Sequence, residues 1–102
     1  MPTMEEAMEY LGIDYPDDVI TRNVTRALAT AVKTLQGAVG ADVAELLPGD
    51  PRAKELVFIY LDDLYSDRGV SAKVSGATRR LVQTMELQLQ MELRAAREAV
   101  AQ

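Results

Sequence analysis

Along the stretch MELQLQMELR, Met85 to Arg94, apolar and polar residues alternate without a break. Met85, Leu87, Leu89, Met91 and Leu93 stand against Glu86, Gln88, Gln90 and Glu92. Strict alternation is the pattern of a half-buried strand. Yet Met, Glu, Leu, Gln and Arg are strong helix formers, and none is β-branched. With Met85 at zero and each residue advancing the helix by about 100°, Val74, Leu81, Val82, Met85, Leu89, Leu93, Ala96 and Val100 fall within one sector of roughly 120°. The pattern therefore predicts a helix from about Gly76 to near the C-terminus, packed on the rest of the chain through that stripe. A strand survives as a reading only if the segment adds to a partner's sheet edge.

The remaining pattern predicts three more helices. The first opens at TMEE, where Thr3 can cap and Glu6 can complete a capping box, and it ends at Gly12. Its apolar positions Met4, Ala7, Met8 and Leu11 share a face. The second follows DYPDD: Pro16 suits a first helical turn, and Asp17 and Asp18 suit the positive end of the dipole. Ile20, Val24, Ala27, Leu28, Ala31 and Leu35 then recur at three- and four-residue spacing, to about Gly37 or Gly40.

Residues 40–50 read as the main connection, with one short turn at Val43–Leu47 stopped by Pro48 and Gly49. This connection is expected to be the most exposed part of the body. The third helix starts at Asp50 as N-cap with Pro51 in the first helical position. Ala53, Leu56, Val57, Tyr60, Leu61 and Leu64 make its stripe, while Phe58, Ile59 and Tyr65 lie off it. A helix apolar over so much of its circumference is expected to be surrounded by others and to form the core. Ser66, Asp67 and Gly69 signal its end, and Ser71 or Ser75 is the expected cap of the last helix. The expected fold is all-α, a small bundle of about four helices with a long C-terminal helix. Residues 1–70 form a body of three helices, and residues 71–102 add the last helix to the same single domain.

Composition narrows the chemistry. The 102 residues include no His, Cys or Trp, which removes the usual general base, the thiol nucleophile and the common zinc ligands. Disulfides are impossible. Met1–Ala7 is acidic where a secretory leader would be basic and then apolar. The longest apolar run, Leu56–Leu61, is too short to span a bilayer. Net charge is −5, with 6 basic and 13 acidic groups in residues 1–70 against 5 and 3 in residues 71–102. Such a balance disfavours nucleic-acid binding, which needs a cationic face.

Candidate catalytic groups do not converge. Asp17-Asp18 and Asp62-Asp63 are sequence neighbours, which point to different sides of a helix and make neither an acid/base dyad nor a magnesium site. Helix-start charge explains the first pair, and the wet edge of the third helix the second. GAVGADV lacks the Lys-Ser/Thr of a phosphate-binding loop and follows no strand. Ser66, Ser71 and Ser75 have no His to activate them. Arg79-Arg80 reads as a solvated face or as pairing with the acidic body; a phosphate contact there has no aromatic interleaving to support it. The chain is expected to be no enzyme and to use no cofactor or metal.

What remains is binding through surfaces. Leu87 and Met91 fall at about 200° and 240°, opposite the packed stripe. Arg80 precedes this patch and Glu98 follows it at the same angular position. A monomer covers only one side of a terminal helix, so a second apolar patch points to a neighbour, another copy or a different protein. Leu87, Met91, Arg80 and Arg94 are the candidate contact residues, whereas Met85, Leu89 and Leu93 are expected to face the body. This helix is also a candidate for ordering only on assembly.

Two phrases carry a family resemblance: MEEAMEYLGIDYPDDVITRNVTRALATAVKTLQGAVG near the start and DPRAKELVFIYLDDLYSDRG later. Over about residues 4–69, with a looser match in the last helix, the chain resembles the small head–tail connector (adaptor) proteins of long-tailed bacteriophages and prophages, also described as DNA-packaging proteins. Members open with a short helix ending in a Leu-x-Ile-Asp phrase, here Leu11-Gly12-Ile13-Asp14, then acidic residues and a long amphipathic helix. Their third helix begins after a Pro and ends in an aromatic and Asp/Asn-Arg phrase, here Tyr65-Ser66-Asp67-Arg68. The linker after SDRG is shorter than in many relatives. The resemblance implies an all-α virion protein at the head–tail interface, made in the host cytoplasm and assembled as a homo-oligomer ring under the portal protein. Such a ring extends the DNA channel and receives the next connector or tail-completion protein. DNA passes through without sequence-specific binding, and no membrane is involved. No catalytic residues come with the resemblance. The rival expectation is a non-viral helical interaction module, such as a small dimerising regulator or adaptor.

Overall fold

The computed structural model describes residues 1–66 and 76–101. Five helices follow one another: α1 (Met4–Tyr10), α2 (Asp18–Val39), α3 (Val43–Leu46), α4 (Pro51–Ser66) and α5 (Gly76–Ala101). Among the described residues there is no strand, and the fold is the expected all-α bundle with a long last helix. MELQLQMELR lies wholly within α5. The expected turn at Asp67 and Gly69, the capping serines Ser71 and Ser75, and Val74 lie outside the described residues.

The helix starts follow local chemistry. Thr3 and Glu6 form a reciprocal capping box, with backbone-to-side-chain distances of 3.0 and 3.1 Å. After α1, Gly12 takes φ 73°, and the amides of Gly12 and Ile13 donate back to the carbonyls of Glu9 and Met8 at 3.1 and 2.9 Å. This is the paired bonding that a left-handed residue allows at a helix end. Asp17 caps α2 through a 2.7 Å bond from the Ile20 amide. Pro16 therefore stands ahead of the cap and not in the first helical turn as expected, because the Asp17 carboxylate takes the capping position. Asp50 caps α4, accepting from the Arg52 amide at 2.9 Å, with Pro51 next as expected.

The core is built from α2 and α4, which pack on each other more extensively than any other pair of elements. Val24, Leu28, Ala31, Leu35 and Val39 of α2 meet Ala53, Leu56, Val57 and Leu61 of α4 in one buried cluster. Ala7 of α1, Val43 of α3, and Leu89 and Leu93 of α5 complete it. Fully burying a leucine contributes roughly 1.5–3 kcal/mol, so the two α5 leucines alone make a firm anchor. α4 packs against α1, α2 and α5 and shares the centre with α2: Phe58 stacks on Tyr10 of α1 with ring centroids 4.7 Å apart, while Tyr60 reaches α5. Leu64, assigned to the same stripe, is instead exposed near the end of α4.

Two exposure expectations are corrected. The 40–50 connection is docked against the body: Val43 is fully buried, and Leu46 and Leu47 pack on the core. The backbone between α1 and α2 is more open, with Tyr15 91% exposed. The α5 stripe is also shorter than the helix. Val82, Met85, Leu89, Leu93 and Ala96 are buried or half-buried, but Leu81 and Val100 are 55% and 71% exposed. The body is not long enough to cover both ends of a 26-residue helix.

Candidate interaction surface

α5 is fixed by its inner face and by polar contacts along both edges. Leu89 and Leu93 are fully buried one turn apart, with Met85 packed beside them. Along one edge, the Tyr60 hydroxyl donates to the Glu86 carboxylate, and Gln90 Nε2 donates to the Ala38 carbonyl at 2.6 Å. Arg97 closes that edge with a two-pronged pair to Asp42, Nε at 2.8 Å and Nη2 at 2.6 Å. Along the other edge, Arg52 pairs with Glu92 and donates to Gln88 Oε1 at 3.3 Å. Arg52 is itself oriented by Asp50, Nη2 to Oδ2 at 2.9 Å.

These contacts perturb the groups that make them. The Arg97 guanidinium holds the Asp42 carboxyl below its ordinary range, and Arg52 does the same to Asp50. Burial, reinforced by the hydrogen bond to Glu86, pushes the Tyr60 phenol well up. All three serve to seat helices. Among the described residues, no group of His, Cys, Asp and Glu could hold a metal ion. No described helix is long and apolar enough to cross a membrane. Asp62 and Asp63 are both exposed near the end of α4.

With both edges committed, the middle of the outer face of α5 is left exposed among the described residues. Leu87 and Met91 lie on it, 57% and 65% exposed. Arg80 and Arg94 are exposed on the same face, so all four candidate contact residues come together on one surface. Thr84 and Glu98, also exposed, share it. Neither Glu98 nor Thr84 is among the four candidates, although the spacing that selects those four selects both. The Asp42–Arg97 and Arg52–Glu92 pairs have no sequence signal, because their members lie on different elements brought together by packing. Comparison with known proteins finds no matching family model, no similar curated protein and no similar solved structure.

Proposed function

We propose that this chain is a structural, non-catalytic subunit that works by docking through the outer face of α5. One observation carries the reading: Leu87 and Met91 stand one turn apart, more than half exposed, at the middle of a helix whose opposite side is buried and pinned. A rigidly seated helix that presents apolar side chains outward is suited to a helix-to-helix or helix-to-groove contact.

The assembly proposed is the bacteriophage head–tail connector, a ring of copies beneath the portal protein that carries the DNA channel toward the tail. The two sequence phrases support it. So does the charge, since a chain of net −5 would line a channel without gripping the DNA that passes. The test is electron microscopy of the purified chain, alone and mixed with a bacteriophage portal protein. Rings, alone or seated on the portal, are the expected result; failure to form rings or bind the portal overturns the connector reading.

A further inference from the structure

Residues 1–18 contain six acidic residues and no Lys or Arg; the first basic side chain is Arg22. Within that stretch the connection between α1 and α2 stands open. Asp14, Tyr15, Pro16, Asp17 and Asp18 are all exposed, Tyr15 by 91%. Val19, next in the chain, is 59% exposed. The connection is nonetheless held at both ends and stiffened between them. The Ile13 amide donates to the Met8 carbonyl on one side, Asp17 caps α2 on the other, and Pro16 fixes its own φ. An aromatic ring presented on so constrained a segment loses little freedom on binding, the property that makes tyrosine a frequent interface anchor.

The middle of the outer face of α5 supplies the complement. α5 has seven charged residues. Glu86, Glu92 and Arg97 hold it to the body, and Arg80 is also engaged within the chain. Arg94 is exposed, stands one turn from Met91 and two from Leu87, and makes no ion pair among the described residues. Glu98 lies one turn farther on, beyond the apolar pair. A guanidinium pairs with carboxylates and stacks on a phenol ring, and Leu87 and Met91 give such a ring an apolar, adaptable bed.

We infer that the Asp14–Asp18 connection of one copy docks on the Leu87, Met91 and Arg94 patch of a second copy, with Tyr15 against the two apolar side chains and the carboxylates against Arg94. The inference rests on the ring reading above and names the contact between its copies. Charge and chemistry make a second copy the occupant. One patch is aromatic and acidic, the other aliphatic with a free cation, and both are exposed in the same chain, so neither covers the other within it. Because the two surfaces differ, the contact is heterologous. Each bound copy still offers one free connection and one free helix face, so association continues until a ring closes. The apolar part is only Tyr15, Val19, Leu87 and Met91, which places each contact at the small end of interface sizes. Single contacts are therefore reversible, and closure of the ring adds them together.

The experiment is sedimentation velocity over a concentration series, with two variants that each remove one patch. Wild type is expected to form species larger than a dimer as concentration rises, and to lose them as salt rises, since exposed charges are screened. Tyr15→Ala with Asp14→Lys removes the connection's patch; Leu87→Glu with Met91→Glu removes the helix patch. Each variant alone is expected to associate at least about tenfold more weakly, with helix content intact by circular dichroism. Mixed in equal amounts, the two are expected to form a one-to-one pair that grows no further, because the mixture holds one intact patch of each kind. No contact between like surfaces gives that result. Wild type that stays monomeric at several hundred micromolar overturns the inference and assigns the α5 patch to a different protein. Association that ignores salt, or that survives Tyr15→Ala with Asp14→Lys, overturns it also, as does a mixture that stays monomeric. Rings formed by the Tyr15→Ala, Asp14→Lys variant overturn this contact and leave the connector reading standing. A one-to-one pair from the mixture, with no ring from wild type alone or on a portal, upholds the contact and overturns the connector reading.

Discussion

Arg97 and Asp42, 55 residues apart in the chain, meet through two parallel hydrogen bonds of 2.8 and 2.6 Å. Asp42 stands in the capping position of α3 yet makes no side-chain cap there. Its carboxylate is spent on α5 instead, so the short α3 segment becomes the clasp that holds the outer half of the last helix.

The clasp makes docking of α5 depend on pH. Because Arg97 lowers the folded-state pKa of Asp42, the pair stabilises the fold above the ordinary carboxylate range. That contribution fades as pH falls through the lowered value. The Arg97 side chain is 49% exposed and that of Asp42 32%, so solvent screens the pair and the effect is small and salt-sensitive. Asp42→Asn is expected to lower the melting temperature at pH 7 in low salt and to make no difference near pH 2. Thermal melts at the two pH values check it.

Gly40, at the end of α2, is a tighter constraint. Its φ is 154°, and a Cβ there would collide with Leu93 Cδ2 and lie 2.6 Å from Arg97 Nη2. Gly40→Ala combines backbone strain of about 1–3 kcal/mol with displacement of a buried leucine. Chemical denaturation is expected to show a loss of at least about 2 kcal/mol, whereas Gly37→Ala, inside the same helix with open space around it, is neutral or stabilising.

The two sides of α5 should separate cleanly by mutation. Leu89→Ala and Leu93→Ala each remove a fully buried side chain and are expected to cost about 2–5 kcal/mol. Leu87→Ala and Met91→Ala, on the open face, are expected to change monomer stability by less than about 0.5 kcal/mol. Denaturation at a concentration low enough to keep the chain monomeric makes the comparison. Equal losses on both sides would place Leu87 and Met91 in the core.

Tyr60 bonds α4 to α5 through Glu86, and its phenol ionises above the ordinary tyrosine range, first through burial and then through that bond. The neutral phenol therefore contributes stability that is whole below about pH 10 and lost as pH rises above it, where the unfolded chain ionises first. Tyr60→Phe is expected to destabilise by about 1 kcal/mol at pH 7 and to flatten the fall in stability above pH 10. Unfolding by urea at pH 7 and pH 10.5 tests both parts.

The four long or capped helices were legible because their signals are local. Thr3 and Glu6, Asp50 and Pro51, and the spacing of Val24, Leu28, Ala31 and Leu35 each act within one or two turns. The two sides of α5 were legible for the same reason, since angular position on a helix follows from residue number alone. Exposure of the connections was not. Val43, Leu46 and Leu47 read as an apolar trio in a loop, and their burial depends on where α5 comes to lie.

Sequence by itself determined the helices and the inner and outer faces of α5. Tertiary structure decided which stripe residues are covered, that the 40–50 segment is a clasp, and that Arg52, Gln90 and Arg97 pin both edges of α5. The division is physical. Helix propensity, capping and periodicity act between residues a few positions apart, whereas burial depends on the lengths and directions of elements meeting across the fold. Leu81 and Leu89 belong to the same stripe by angle; only the reach of the body makes one exposed and the other core.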